Sequence, residues 1–186
     1  MQQPVAAQEQ GVVARMAAGD RHALADLYAR YQRPLLTYLL LLSSDPGLVE
    51  ELLQDTLLAA WTGAGGYTGQ ASVQGWLLGI ARRREHDVLR RRHLHLVAWS
   101  EAEALPTSHP EPEAIALARI DREELAAAVD RLAPVHREVL ILTFVHELSY
   151  QDLVEVLGVP LLTVKSRLSN AKRALRALMR PEESAR

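Results

Sequence analysis

The stretch at residues 148–168, LSYQDLVEVLGVPLLTVKSRL, contains two helical patterns separated by a short break. Ser149, with Asp152 three residues later, forms a capping-box pattern, which predicts the start of a short helix. The break begins at Gly158, and glycine gives the backbone the freedom to turn steeply. A longer helical pattern follows it. This spacing is typical of a helix-turn-helix, in which two helices cross through a short turn.

The second of these helices separates into an apolar stripe and a cationic stripe. The apolar residues recur at steps of three and four: Val164, Leu168, Ala171, Leu175 and Leu178. Cations and short polar side chains fill the other positions, and no acidic residue occurs from 163 to 180. Lysine and arginine neutralise phosphates, and serine, arginine and asparagine bind base edges in the major groove. A charged face is often only solvated, but such faces normally mix both signs, so we expect this helix to contact DNA.

The cations of the chain are concentrated in two islands, although the net charge is only -2. Residues 82–92 hold six arginines and residues 165–180 hold six further cations, out of 21 basic residues in all. Between the islands, residues 101–124 carry seven acidic side chains. Alternation of sign by segment is expected where two surfaces meet a polyanion and the segment between them stays away from it.

Helical periodicity with no competing strand alternation predicts an all-α fold. Asp45 followed by Pro46 predicts the start of one helix, and Gly63 predicts its end. The glycine-rich loop at 62–72 then separates this helix from another that begins near Val73. The sequence therefore predicts a series of short helices with clear start and stop signals.

The segment after residue 97 marks a boundary between two domains. It contains several prolines and acidic residues and has no amphipathic period, which predicts a flexible acidic linker. We therefore expect two small helical domains, at 8–97 and 118–181, joined by a linker at 98–117, with the helix-turn-helix in the second domain.

The residue types that are absent disfavour several classes of function. The chain has no cysteine, so it has no disulfide, no thiol nucleophile and no cysteine-ligated zinc. Its N-terminal segment lacks the basic start and apolar core of a signal peptide, and its apolar runs are too short to cross a bilayer. The histidines show no metal-binding spacing, and no catalytic constellation is present. We expect a cytoplasmic protein that is not an enzyme, needs no cofactor or metal and does not insert into a membrane.

Three sequence blocks resemble parts of a known family. Residues 128–178 are similar to the fourth conserved region of bacterial sigma factors of the extracytoplasmic-function (ECF) group. Residues 45–61, DPGLVEELLQDTLLAAW, resemble the helix in that group's second region that docks on RNA polymerase, and residues 75–92, GWLLGIARRREHDVLRRR, resemble its promoter-opening segment. The resemblance implies a sigma factor that binds core RNA polymerase, recognises promoter DNA and helps to melt it. Anti-sigma factors of this family cover such faces, so an anti-sigma partner is expected too.

The resemblance also implies roles for individual positions. The residues implied to read the minus-thirty-five promoter element are Thr163, Lys165, Ser166, Arg167, Asn170 and Arg173. Those implied to handle the minus-ten element are Tyr67, Arg82, Arg83 and Arg90. Those implied to meet the clamp helices of the largest polymerase subunit are Glu50, Glu51, Gln54 and Asp55.

Some assignments have a structural alternative. Tyr67 either stacks on a base or anchors its own loop, and the polar side of the 45–61 helix is either a docking surface or a solvated face. Trp76 is assigned to core packing, and Asp87 to ion pairs with the neighbouring arginines. In the second domain, the residues assigned to the core are Leu142, Phe144 and Leu148.

Four positions depart from the family pattern. Arg83 stands where many relatives have asparagine, Leu162 where glycine is common, Val154 where alanine is usual, and Asn170 where arginine is frequent. Asn170 suggests contact with adenine rather than guanine.

The alternative function is a stand-alone helix-turn-helix regulator with an N-terminal interaction bundle. The arginine island beside a glycine-rich loop favours the initiation factor, because a protein that binds only duplex DNA needs no track for a single strand.

Overall fold

α-Helices form almost all of the part of the chain that the structure describes. The computed structural model describes residues 3–43, 45–97 and 124–179, and no strand occurs within these ranges. The helices are α1 (Gln3–Ala17), α2 (Arg21–Leu42), α3 (Pro46–Gly63), α4 (Val73–Val97), α5 (124–130), α6 (Pro134–Phe144), α7 (Tyr150–Leu157) and α8 (Leu161–Leu178), with one turn of 3₁₀-helix at Ala64–Gly66. The predicted all-α fold is confirmed.

The chain divides into two compact units, one built mainly from its N-terminal half and the other mainly from its C-terminal half. The predicted linker at 98–117 lies outside the described residues, and so do residues 118–123 and 180–181 of the predicted second domain. The domain boundaries therefore stay a prediction.

The N-terminal unit is built from α1 to α4, which pack on one another. Asp45 caps α3, because its Oδ1 accepts hydrogen bonds from the backbone N–H groups of Gly47 at 3.0 Å and Leu48 at 3.3 Å. Pro46 occupies the first turn, where a backbone N–H would have no helical partner. The most deeply buried leucines of its core are Leu27, Leu35, Leu39, Leu52, Leu77 and Leu78. The predicted end of α3 and start of α4 are both confirmed.

In the C-terminal unit, α6 packs on α8, and α7 precedes α8 as the first helix of the helix-turn-helix. The capping box of α7 is present: the backbone N–H of Asp152 donates to Ser149 Oγ at 3.1 Å, and the hydroxyl of Ser149 donates to Asp152 Oδ2 at 2.6 Å. The turn contains Gly158 with φ of 63°, a conformation that glycine adopts without strain. The core side chains of this unit include Leu142, Leu153, Val164 and Ala171.

The assignment of Phe144 to the core is wrong. Leu142 and Leu148 are buried as expected, but Phe144 is 59% exposed at the last position of α6. The buried residues of α6 form the run 139–142, and Phe144 follows this run at the last position of the helix. Its ring lies instead against a lysine of α8.

Candidate nucleic-acid and polymerase interfaces

Burial divides α8 into the two stripes that its sequence predicted. Val164, Leu168 and Ala171 are buried, and the last two apolar positions, Leu175 and Leu178, are half-buried. The side chains predicted to read the minus-thirty-five element lie outside this stripe: Lys165, Ser166, Asn170 and Arg173 are exposed, and Thr163 and Arg167 are half-buried. α8 therefore presents a surface of cations and hydrogen-bonding groups, referred to below as the α8 face.

Two hydrogen bonds within α8 orient polar side chains on this face. The hydroxyl of Ser166 donates to the backbone carbonyl of Thr163 at 2.9 Å. Arg173 Nη2 donates to Asn170 Oδ1 at 3.0 Å. An asparagine that reads adenine uses both its carbonyl oxygen and its amide N–H groups. For Asn170 to bind adenine in this way, Arg173 has to share or release that oxygen.

Two aromatic rings, which the sequence did not link to α8, lie against its lysines. Lys165 Nζ is 5.8 Å from the centroid of the Tyr150 ring, and Lys172 Nζ is 5.1 Å from the centroid of the Phe144 ring. Both distances are within the range of cation–π attraction. Lys172 lies outside the apolar stripe of α8 and is not among the residues that the resemblance implies to contact DNA. No spacing rule in the sequence identifies these contacts, because the rings lie outside α8.

The arginine island at residues 82–92 begins on α4. Arg83 and Arg90 are exposed and lie seven residues apart, which is close to two helical turns, so their side chains share one side of the helix. Arg82 is half-buried. Arg90 Nη2 donates to Asp87 Oδ1 at 3.1 Å, which confirms the ion pair predicted for Asp87. This pair fixes one cation of α4 on the helix surface.

Tyr67 is held inside its own loop. Its hydroxyl donates to the backbone carbonyl of Ala71 at 2.7 Å, and its ring packs on Trp76 with the centroids 5.0 Å apart and the planes tilted by 44°. Both rings are half-buried. This arrangement favours the loop-anchor interpretation of Tyr67. Stacking on a base stays a prediction, and it requires the ring to present a face that Trp76 does not cover.

The polar side of α3 contains the residues predicted to bind polymerase. Glu50, Glu51 and Gln54 are exposed and Asp55 is half-buried, and the amide of Gln54 donates to Glu50 Oε1 at 3.4 Å. Leu58 follows one turn after Gln54 and is 62% exposed. The exposure of Leu58 agrees with the sequence, because Leu58 does not fit the apolar period of this helix. That period consists of Val49, Leu52, Leu53, Thr56, Leu57 and Ala60.

A shallow groove of about 490 Å³ lies beside this polar side, between α2 and α3. Its lining residues are Arg21, Leu24, Gln54, Leu57, Leu58 and Trp61. Apolar side chains therefore continue the surface that begins with the acidic residues of α3. Protein-binding patches typically have a polar rim around an apolar centre. The polar residues of α3 resemble such a rim, and the exposed leucine resembles such a centre.

Among the residues described, no group of three or more histidine, aspartate or glutamate side chains is placed to hold a metal ion. None of the helices in the described ranges is long and apolar enough to cross a membrane.

Comparison with known proteins agrees with this architecture. The sequence model of Sigma-70 region 2 matches residues 27–94, and that of Sigma-70 region 4 matches residues 122–175. The ECF RNA polymerase sigma factor SigK of Mycolicibacterium vanbaalenii is 30% identical over 175 residues, which cover 92% of this chain and 89% of that protein. The RNA polymerase sigma factor YlaC of Bacillus subtilis is 30% identical over 161 residues, which cover 86% of this chain and 93% of that protein.

A solved structure has the same fold. It is the sigma factor RpoE of Bartonella quintana, crystallised with the anti-sigma factor NepR, and it superposes with a TM-score of 0.67 at 24% identity, covering 86% of this chain and 98% of that one. Both conserved regions are thus present in the order expected, on the helices that hold the candidate interfaces. The chain belongs to the ECF group of bacterial RNA polymerase sigma factors.

Proposed function

We propose that this sigma factor binds core RNA polymerase through α3, reads the minus-thirty-five element through α8, and holds the melted minus-ten strand through α4 and the loop before it. The observation that carries the proposal is the α8 face, which lies opposite a buried stripe within the segment that matches Sigma-70 region 4. A recognition helix needs one rigid side to fix its orientation and one accessible side to enter the major groove.

For α8, the proposed division of work follows the chemistry of the side chains. Lys165 and Arg173 neutralise phosphates, which contributes affinity that falls with salt. Ser166, Arg167 and Asn170 reach base edges, which contributes sequence specificity. Thr163, at the start of α8, contacts a phosphate.

For α4, the proposed ligand is single-stranded DNA. A protein that holds an unpaired strand combines a cationic track with a surface for bases. Arg82, Arg83 and Arg90 supply the track, and Tyr67 is the aromatic side chain of the preceding loop. Arg90 has to exchange its carboxylate partner, Asp87, for a phosphate when the strand binds.

For α3, the proposed partner is the pair of clamp helices in the largest polymerase subunit. The polar residues Glu50, Glu51, Gln54 and Asp55 supply charge and hydrogen bonds. Leu58, the exposed leucine beside them, supplies apolar area that polymerase would cover. Buried apolar anchors inside a polar rim contribute most of the affinity of such interfaces.

The remaining expectations belong to the same proposal. A factor that acts by binding DNA and polymerase needs no catalytic group, so we propose that the chain is not an enzyme and that it works in the cytoplasm, where the polymerase is. The relative from Bartonella quintana was crystallised with an anti-sigma factor. We propose that an anti-sigma factor also regulates this chain, by covering one of its binding faces.

Transcription in vitro tests the proposal against the stand-alone regulator. Core polymerase without any other sigma factor is combined with the purified chain and the promoter region upstream of its own gene. A sigma factor starts RNA synthesis under these conditions, whereas a stand-alone regulator produces no transcript until another sigma factor is added. Absence of RNA from core polymerase that transcribes normally with a second sigma factor would refute the proposal.

Two matched variants test the polymerase face. Leu58→Glu is expected to weaken core binding by roughly tenfold or more, since it places a charge at the centre of the interface. Leu40→Glu, at another exposed leucine of the same unit, is expected to bind core like the parent chain. Equal effects of the two substitutions would remove Leu58 from the interface.

A further inference from the structure

Phe144 is the only phenylalanine of the chain, and it is exposed rather than buried. Its position at the end of α6 places its ring 5.1 Å from Lys172 Nζ. Tyr150, at the start of α7, is 48% exposed and stands in the same relation to Lys165. Thus two rings, from two elements outside α8, each lie under a lysine of α8.

The two lysines lie seven residues apart, close to two helical turns, and therefore point to one side of α8. A lysine ammonium sits on a flexible four-carbon stem and samples many rotamers in solution. A ring beneath it favours a few of them without neutralising its charge. α6 packs directly on α8, so the helix that carries Phe144 is held against the helix that carries Lys172.

The exposure of the Phe144 ring is easier to interpret than that of the Tyr150 ring. A tyrosine hydroxyl binds phosphate by itself, so exposure of Tyr150 has more than one explanation. A phenylalanine ring has no hydrogen-bonding atom, and an exposed ring covered by a cation is poorly suited to an apolar protein partner. The remaining property of Phe144 is the geometry that it imposes on Lys172.

We propose that Lys172 is a further phosphate contact of the promoter complex and that Phe144 is its positioning residue. The ring holds the ammonium out from α8, toward the DNA backbone beside the groove that the front of the helix enters. The ordering of the lysine side chain is then complete before DNA arrives, which removes part of the entropy cost of binding. This inference rests on the proposed DNA-binding function of the α8 face.

The test is a double-mutant cycle in the holoenzyme, with promoter affinity measured at several salt concentrations. Lys172→Met is expected to weaken binding and to reduce the slope of log affinity against log salt by about 0.9, the value for one lost phosphate contact. Phe144→Leu is expected to weaken binding roughly two- to fivefold. It leaves the slope nearly unchanged, because the cation remains. In the Lys172→Met background, Phe144→Leu should have no further effect.

Two more variants and a spectroscopic signal complete the test. Phe144→Trp keeps an aromatic face and is expected to retain parental affinity, and Val145→Ala, at the exposed neighbour of Phe144, is expected to change nothing. In NMR spectra, the methylene protons next to Lys172 Nζ should show an upfield ring-current shift that Phe144→Leu abolishes. This signal reports the contact whether or not DNA is bound.

Three results would overturn the inference. One is a Phe144→Leu effect that persists in the Lys172→Met background, which would mean that the ring serves another surface, such as one for a protein. Another is an unchanged salt slope for Lys172→Met, and the third is a loss of affinity in Phe144→Trp equal to that in Phe144→Leu. If the proposed DNA-binding function itself is wrong, a different result is expected: Lys165→Ala and Arg173→Ala would leave promoter binding unchanged.

Discussion

Removal of the Ser149 hydroxyl should loosen the helix-turn-helix while the N-terminal unit stays intact. In the parent chain, Ser149 Oγ accepts a hydrogen bond from the backbone N–H of Asp152 at 3.1 Å and donates one to Asp152 Oδ2 at 2.6 Å. Ser149→Ala removes both, and it keeps only the bond from the Ser149 backbone N–H to the same carboxylate oxygen at 3.1 Å. α7 has only eight residues, so it depends on this cap more than a long helix would.

The expected cost follows from these two bonds. Loss of an N-cap side chain costs about 1 kcal/mol. Asp152 is buried, and loss of one donor to its carboxylate adds a further cost of about 1 kcal/mol. The sum of about 2 kcal/mol corresponds to a roughly 30-fold larger open population of this unit, since each 1.4 kcal/mol is a factor of ten in an equilibrium constant.

Hydrogen exchange of the full chain, read by mass spectrometry, measures this effect segment by segment. Amides of α7 and α8 should exchange faster in Ser149→Ala, whereas those of α2 and α3 should exchange as in the parent chain. Ser149→Thr, which keeps the hydroxyl, is the matched control and should behave like the parent. The reasoning fails if protection in α7 and α8 is unchanged, or if both units lose protection equally.

Three further perturbations concern backbone strain and titration. Glu147 has φ of 52°, so Glu147→Gly should stabilise the C-terminal unit by about 1 kcal/mol, measured by thermal unfolding; a lower melting temperature would contradict this. Burial lowers the pKa of His146 below its ordinary value of about 6.5, so the stability that depends on neutral His146 is complete above that pH and is lost as the pH falls toward the lowered pKa. His146→Gln should flatten the decline in melting temperature between pH 7 and pH 5, and an unchanged decline would exclude this residue as its source. The Arg15 guanidinium, 2.8 Å from the Asp20 carboxylate, lowers the pKa of Asp20, so the stability from this pair is present above about pH 4 and is lost below it. Asp20→Asn, which keeps the cap of α2, should reduce the loss of stability of the N-terminal unit at acid pH. If the variant loses as much stability in acid as the parent chain, the Arg15–Asp20 pair does not have this role.

Start and stop signals of helices were predictable because they depend on neighbours in sequence. The cap at Asp45, the end of α3 at Gly63 and the start of α4 at Val73 follow from residues within one turn of each boundary. The apolar stripe of α8 was predictable for the same reason, since a period of three and four residues fixes which side is buried. The capping box of α7 was predicted from two residues three positions apart.

Features that depend on contacts between elements were not predictable in this way. The apolar character of Phe144 suggested burial, but Phe144 follows the buried run 139–142 at the end of α6, and only the packing of α6 on α8 brings it to Lys172. Leu58 lies outside the apolar period of α3, but its place in a groove with Leu24 of α2 depends on the packing of the two helices. The packing of Tyr67 on Trp76 joins a loop to a helix, and no local rule predicts such a contact.

The two cationic helices hold their charges in different ways, and this difference affects how each meets DNA. On α4, Arg90 is paired with the carboxylate of Asp87, so its binding to a phosphate exchanges one ion pair for another. On α8, no acidic residue is present from 163 to 180, and the observed partners are neutral: a ring under each of two lysines and an amide oxygen for Arg173. Neutral partners orient a cation without cancelling its charge. Among the described residues, none of these three cations has a carboxylate partner to lose when it meets a phosphate and displaces a counterion from the DNA, so salt should weaken their contacts by nearly the full amount per phosphate.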